Sequence, residues 1–419
     1  MSTIIQESPS LAVNAREAVL GRPPMGARRV VVDEHRAVAG YQLTPSARNP
    51  QPTPTAPASG DGEIAPDEET RLTKPTFVRC TCQDLAEGEL DWLDPHCVVL
   101  EVHEGGAPGI EPSPLDHAVL QAARAKGFKL AFDSRLLGAA YAQFVPLASF
   151  VILEMGVLEL DRAAAVARAV HANTKAAPFA TQVRTAAEFE YLQRAGVKLY
   201  EGLWFTQPPA SPDRSIQLAY APLINLMNMV LREAEVNEIE DLLKREPTLS
   251  FKLLRYINSA GFGRKMEIAS FRHAVLTVGM KRLFRWTALL IAGTPAGNVA
   301  PAIGTLAIVR GRMMELLALE TLSGPEADLA FVAGMFSMLD ALLGMPLVDA
   351  LALVTLPASV TDAVLRNEGA FARYLAIARA CESADEASLD ILSARYGIAV
   401  DRMITVHQDA LAWGEQFGH

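Results

Sequence analysis

The chain has 419 residues, a length that allows two or three domains with a large core. Half of the residues are hydrophobic and 21% are charged, which excludes an intrinsically disordered chain. The formal net charge of −10 opposes strong nonspecific binding to nucleic acid or to an anionic membrane. The four cysteines form no CxxC pair and no disulfide framework, which favours a reduced cytoplasmic compartment.

Residues 1–27 show no sustained periodicity and are predicted to be a flexible N-terminal arm without a signal peptide. Eight β-like runs follow, at 29–33, 39–43, 77–82, 97–102, 129–133, 149–155, 178–183 and 197–205. From the fourth run onward, helical patterns lie between them, at 113–127, 160–174 and 185–196. This alternation predicts a parallel α/β barrel over 28–206.

A proline-rich loop at 44–70 replaces the helix expected between the second and third runs, which leaves part of the barrel wall without helical cover. A linker at 207–215 is predicted to lead into an all-α domain over 216–419. Its first segment, 216–231, is apolar nearly all round and is predicted to pack on the barrel, so that the two domains form a rigid unit. The uncharged stretch 286–309 contains prolines and glycines, and it is predicted to be a buried helix followed by a loop rather than a membrane span.

Three stretches of the second half carry a family resemblance: "LLRYINSAGFGRKMEIASFRHAVLTVGMKRLFRW" (253–286), "FVAGMFSMLDALLGMPLVDALALV" (331–354) and "AVLRNEGAFARYLAIARACESAD" (363–385). They resemble the HDOD domain, and the match covers most of 216–385. The resemblance implies a helical fold without the histidine–aspartate metal ligands of HD hydrolases. Ser337 and Asp340 have no histidine nearby, and His273 is predicted to pack or to form a hydrogen bond.

The first half resembles the EAL domain, the fold of cyclic di-GMP phosphodiesterases, through "GYQLTPS", "FVRC", "VLEVHE", "LAFDS", "FVILE", "ATQVRT" and "YEGLWFTQP" in that order. The resemblance implies two metal ions at the C-terminal mouth of the barrel, held by oxygen ligands. The predicted fold class is therefore α/β plus all-α: a degenerate TIM-like, EAL-type barrel followed by an HDOD-type helical domain. That order implies a bacterial two-domain signalling protein.

Most of the EAL site positions that the resemblance identifies hold other residues in this chain. Glu101 and Asp133 retain family acids. The departures are Gln42 at the signature glutamate, Ser46 at the phosphate-binding arginine, Arg79 at the asparagine, Ser134 at the second aspartate, Ile152 at the catalytic lysine, Thr181 and Arg184 at two later glutamates, and Glu201 at the final glutamine.

Two retained acids do not suffice for two divalent ions, so no hydrolysis, cofactor or bound metal is predicted. Arg79 or Arg184 is predicted to form an ion pair with Glu101 or Asp133, because the barrel brings these strand ends together. The leading hypothesis is a noncatalytic regulatory scaffold that binds other signalling proteins. The alternative is a cyclic di-GMP receptor in which Arg79, Arg135 and Arg184 bind the phosphates. The basic stretch "KRLFRW" (281–286) is predicted to be a solvated helix end rather than a nucleic-acid site.

Overall fold

The computed structural model describes residues 27–43, 74–88, 90, 93–104, 115–207, 214–257, 271–294, 297 and 299–415. The proline-rich loop 44–70, Ser46 within it, and all but the last residue of the predicted arm lie outside these ranges. Most of the predicted linker lies outside them as well.

Eight strands form a closed barrel in chain order, as predicted from the eight β-like runs. The strands are β1 (Arg28–Asp33), β2 (Val38–Leu43), β3 (Thr76–Cys80), β4 (Val98–Val102), β5 (Lys129–Asp133), β6 (Ala148–Glu154), β7 (Ala177–Thr181) and β8 (Leu199–Glu201). Strands β2 to β8 are parallel to their neighbours along this order, so their carboxyl ends meet at one mouth.

The prediction of an all-parallel barrel is wrong for β1, which runs antiparallel to both β2 and β8. The reason is the short connection between β1 and β2. The amide of Arg36 donates to the carbonyl of Asp33 at 3.0 Å, and Arg36 itself has φ of 60°. So short a turn joins only antiparallel strands, because a parallel pair needs a long crossover.

Helices and 3₁₀ turns connect the strands of the barrel. The helices are α1 (Cys82–Ala86), α2 (His117–Ala125), α3 (Leu160–Asn173) and α4 (Ala186–Arg194), and the 3₁₀ segments are Ser134–Leu137, Ala139–Leu147 and Trp204–Thr206. Asp116 caps α2, because its carboxylate accepts the amide hydrogens of Ala118 and Val119. Between β5 and β6 the two 3₁₀ segments stand in place of an α-helix.

The second half is helical, as predicted. It contains α5 (Arg214–Leu231), α6 (Val236–Arg245), α7 (Pro247–Ile257), α8 (Phe271–Gly293), α9 (Pro301–Leu319), α10 (Gly324–Phe336), α11 (Leu339–Leu343), α12 (Leu347–Ala352), α13 (Ala358–Arg366), α14 (Ala372–Ser383), α15 (Glu386–Tyr396) and α16 (Val400–Glu415). Helices α10 and α11 separate at Ser337 and Met338. Within the described ranges, no helix has the length and apolar character that a membrane crossing requires.

The uncharged stretch 286–309 consists of the end of α8 and the start of α9, which lie in close contact. Gly304 makes this contact, since a Cβ at that position would lie 1.9 Å from the carbonyl oxygen of Ala292. Only glycine fits so near an opposing backbone. The end of α8 and the start of α9 are therefore apolar because they pack within the domain core.

Two apolar clusters organise the described part of the molecule. A small one fills the barrel interior and comprises Val31, Phe77, Val99, Ala131, Ile152 and Phe179. The other runs without a break from the outer face of the barrel into the helical domain. Helix α14 packs on β1 and α9 on β2, so the wall at these two strands is covered by later helices rather than by 216–231 as predicted, whereas α3 covers β6 and β7.

Candidate functional site

The carboxyl ends of the parallel strands surround a cavity of about 240 Å³ at the barrel mouth. Most of the predicted EAL-site positions line it, namely Gln42, Arg79, Glu101, Asp133, Ile152, Thr181 and Glu201. Arg29, His103, Glu154 and Gln182 also line it, although the sequence did not single them out. The mouth therefore contains acidic and basic side chains close together.

Glu101 is the most buried acid of the mouth, with 1% of its surface exposed, and three side chains contact it. Gln42 Nε2 donates to Oε2 at 2.8 Å, Arg79 Nε donates to Oε1 at 3.0 Å, and His103 Nε2 lies 2.9 Å from the same Oε1. The predicted ion pair between Arg79 and Glu101 is therefore present. Burial by itself raises the pKa of Glu101, but the hydrogen bonds from His103 and Gln42 and the charge of Arg79 hold that pKa below its ordinary value.

Asp133 is bound by a different arginine from the two that were predicted. Arg135 Nε donates to both carboxylate oxygens of Asp133 at 3.0 Å, and its Nη1 lies 2.9 Å from Glu104. Burial raises the pKa of Asp133, yet the hydrogen bonds from Arg135 bring it below the ordinary value. Arg184 is exposed, and its backbone amide donates to Glu188 at 2.8 Å, so its place is at the start of α4.

The opposite side of the mouth is acidic and buried. Glu201, which is 6% exposed, accepts the backbone amide of Gln182 at 2.8 Å. Burial raises the pKa of Glu201, and the charge of Arg29 partly opposes this rise. Gln182 has φ of 59°, and its Nε2 donates to Glu154 at 2.8 Å. This unusual backbone turn links the ends of β6, β7 and β8.

The residues of the mouth do not fit the two-ion centre that the EAL resemblance implies. Divalent ions would have to replace Arg79 and His103 at Glu101, and Arg135 at Asp133. Ile152 places an apolar side chain, 6% exposed, at the lysine position. Among the residues that the structure describes, no group of three or more His, Cys, Asp and Glu side chains is placed to hold a metal ion.

Some of the site residues that the sequence did not identify follow from strand periodicity. His103 lies two residues after Glu101, and Glu154 two after Ile152, so each pair shares a face of its strand. This rule would have identified both. Arg135 and Gln182 lie beyond strand ends, where the turn conformation decides the direction of the side chain, and no periodic signal identifies them.

The remaining candidates in the helical domain are engaged in structural contacts. In the basic stretch 281–286, Lys281 lies 2.9 Å from Asp328, and Arg285 forms an ion pair with Glu315 that Arg312 also joins. The side chain of Ser337 accepts a hydrogen bond from Arg310 at 2.7 Å.

Comparison with known proteins supports the two-domain assignment. The HDOD domain family matches residues 223–343. The chain contains an HDOD domain. CdgJ of Vibrio cholerae, named a cyclic di-GMP phosphodiesterase, is 27% identical over 262 residues, which are 62% of this chain and 61% of CdgJ. YuxH of Bacillus subtilis, an uncharacterized protein, is 23% identical over 208 residues, or 49% of this chain and 51% of YuxH. The chain thus matches less than two thirds of the length of these two relatives.

Solved structures with EAL domains are also similar. BlrP1 of Klebsiella pneumoniae, in a calcium and cyclic di-GMP complex, is 20% identical with a TM-score of 0.31, over 45% of this chain and 56% of BlrP1. An EAL-domain protein of Listeria monocytogenes is 12% identical with a TM-score of 0.29, over 48% of this chain and 94% of the other.

The prediction that the chain is not an enzyme is contradicted by one of these relatives. CdgJ is homologous to this HDOD-containing chain, and its name assigns it phosphodiesterase activity. The prediction rested on the residues at the family's site positions, whereas homology to a named enzyme points toward activity. The predicted fold, an EAL-like barrel followed by an HDOD domain, is confirmed.

Proposed function

We propose that the chain is a bacterial signal-transduction protein that acts in the cytoplasm through contacts with other proteins. Its barrel (28–206) and its helical domain (216–419), joined by the linker 207–215, would work as one regulatory unit. The observation that supports this proposal is the apolar cluster that continues from the barrel wall into the helical domain. Two domains that share a core present one composite surface. The affinity of a partner bound to that surface then depends on the conformation of both domains.

The test compares protein capture by the full chain with capture by its two halves, 1–212 and 213–419, each first checked for folding by circular dichroism. We expect at least one protein from the native host to be retained by the full chain and by neither half. Retention by one folded half at the level of the full chain would show that the composite surface is unnecessary and would contradict the proposal.

A second candidate is a cyclic di-GMP site at the barrel mouth. Three basic side chains, Arg29, Arg79 and His103, line the 240 Å³ cavity, and Arg135 binds Asp133, which also lines it. Guanidinium groups bind phosphates through charge-assisted hydrogen bonds, so these residues offer contacts to a phosphodiester. The homology to CdgJ supports the same ligand.

Calorimetric titration of the full chain with cyclic di-GMP tests this second candidate, and turnover with magnesium or manganese is measured on the same sample. We expect saturable binding that weakens by about tenfold in Arg79→Met, the loss of one charge-assisted contact. The matched control is Arg232→Met, which removes a cation at the end of α5. Equal affinity in both variants, or no binding by the unmodified chain, would contradict a nucleotide site at the mouth.

A further inference from the structure

A cavity of about 830 Å³ lies between the barrel and the helical domain. From the barrel, it is lined by the β1–β2 turn, by α4 and by the 3₁₀ segment after β8. From the helical domain, it is lined by the starts of α5 and α9 and by α11. Its described lining residues all differ from those of the cavity at the barrel mouth. Binding sites for small molecules commonly have such volumes and lie preferentially between domains.

One part of the lining is apolar and well packed. Phe189 stacks on Trp204 with ring centroids 5.2 Å apart, and Phe205 packs edge-on against Trp204 at 5.1 Å. Ile216 and Ile303 of the helical domain add aliphatic surface to the same cavity. Each of these five side chains is at most 7% exposed, so packing against neighbours holds it in place. The lining therefore offers a preformed apolar surface to the body of a ligand.

The polar part of the lining has more positive than negative charge. The two acids of the described lining each have a cation, since Lys198 Nζ lies 2.5 Å from Glu34 and Arg194 Nη2 lies 3.3 Å from Glu190. Arg36 lines the cavity as a further cation. Three cations against two acids favour a ligand with a negative charge, to which a guanidinium donates charge-assisted hydrogen bonds.

The backbone of Arg36 is held by contacts from both domains. Its amide donates to the carbonyl of Asp33 at 3.0 Å, and its carbonyl accepts the amide hydrogen of Ala302, in the first turn of α9, at 3.1 Å. The side chain of Arg36 is half-buried, and this burial lowers its pKa, an effect that the charge of Glu190 opposes. Partial burial of a guanidinium costs free energy, and an anion bound beside Arg36 would offset that cost.

We propose that the cavity between the domains binds a small organic anion with an aromatic body. The guanidinium of Arg36 binds the anionic group, and the rings of Phe189, Trp204 and Phe205 form the apolar wall beside the body. Because both domains line the cavity, a bound ligand contacts both and stabilises their association. This site is separate from the protein contacts and from the mouth site proposed above.

Fluorescence titration of the full chain tests the proposal with two probes that share a ring system. Anilinonaphthalene sulfonate carries a negative charge, whereas N-phenylnaphthylamine is neutral. We expect saturable binding of one sulfonate probe per chain, about tenfold tighter than binding of the neutral probe. Arg36→Met should weaken the sulfonate about tenfold and leave the neutral probe unchanged. The matched control is Arg366→Met, which removes an exposed cation of α13 and should change neither affinity.

A second pair of variants tests the position of the site without touching Arg36. Ala186, at the start of α4, is exposed and lines the cavity, so Ala186→Trp narrows the cavity from the surface of the fold. We expect this change to weaken both probes at least tenfold. The matched control is Ala187→Trp, which adds the same ring at the next exposed position, outside the described lining, and should leave both affinities unchanged.

Three results would overturn the proposal. The first is the lack of saturable sulfonate binding by the unmodified chain. The second is equal sulfonate affinity in Arg36→Met and Arg366→Met. The third is equal affinity for both probes in Ala186→Trp and Ala187→Trp, which would place the bound probe elsewhere on the molecule.

Discussion

Arg310 on α9 and Glu382 on α14 form a bidentate ion pair inside the helical domain, with Nε–Oε1 and Nη2–Oε2 distances of 2.8 and 2.5 Å. Arg310 is 8% exposed and Glu382 is 5% exposed. The third guanidinium nitrogen of Arg310, Nη1, donates to Ser337 Oγ at 2.7 Å. The pair therefore joins α9 and α14, which pack on β2 and β1 of the barrel.

Glu382→Gln should lower the free energy of unfolding by roughly 3–5 kcal/mol, because it leaves the buried guanidinium of Arg310 without a counter-charge. Urea unfolding of the full chain, followed by circular dichroism, measures the loss. Glu320→Gln is the control, since Glu320 and Arg402 form a half-exposed pair that should contribute about 1 kcal/mol or less. Equal losses in the two variants would show that the buried pair has no special contribution.

His407 should make stability fall as the solution becomes acidic. This histidine is 2% exposed, and burial lowers its pKa from 6.5 to about 4. Between these two values the unfolded chain binds a proton that the folded chain does not, so the folded state loses stability as the pH falls below 6.5. From about pH 7.5 to about pH 5 the loss from this one group should be about 2 kcal/mol.

His407→Gln removes that titration, so the difference between the unfolding free energies at the two pH values should shrink by about 2 kcal/mol. The same change at the exposed His35 is the control for the substitution itself. A pH dependence that is identical in the His407→Gln variant and the unmodified chain would mean that burial does not lower the pKa of His407.

Glu101 should make the free energy of unfolding depend on pH at lower pH values than His407 does. Its folded pKa lies below 4.5, so its stabilisation is complete above about pH 4.5 and is lost as the pH falls through the folded value. Glu101→Gln should be less stable at neutral pH and should show a flatter decline in acid. Thermal melts at several pH values measure this, with the exposed Glu87→Gln as control. An unchanged slope would contradict the ion pair at the mouth.

Gly304→Ala should destabilise the helical domain by about 1–3 kcal/mol, because the added methyl group meets the carbonyl of Ala292 and forces α8 and α9 apart. The control is Gly324→Ala at the start of α10, where a Cβ meets no atom within 4 Å. Differential scanning calorimetry should show a lower melting temperature for the first variant only. Similar melting temperatures would mean that the two helices separate without cost.

The sequence was sufficient to locate the eight strands and most of the helices, because periodicity and terminal residues such as Asp116 are local signals. It was also sufficient to predict that Arg79 or Arg184 pairs with Glu101 or Asp133, since strand ends of a barrel meet at one mouth, and the pair of Arg79 with Glu101 is present. The partner of Asp133 could not be predicted, because Arg135 turns back within a 3₁₀ segment whose geometry depends on the packing beneath it. The direction of β1 was missed for a similar reason, since the turn at Arg36 needs a positive φ that its sequence does not reveal.

The cover of the barrel has a consequence for synthesis on the ribosome. Helices α9 and α14, which pack on β1 and β2, are made more than two hundred residues after these two strands. Until then Val30, Val32 and Tyr41 lack the apolar surface that these helices contribute to their cluster. Contacts so distant along the chain slow folding and prolong the exposure of apolar strands, which is the condition that chaperones recognise. Completion of the barrel therefore waits for the C-terminal helices to emerge.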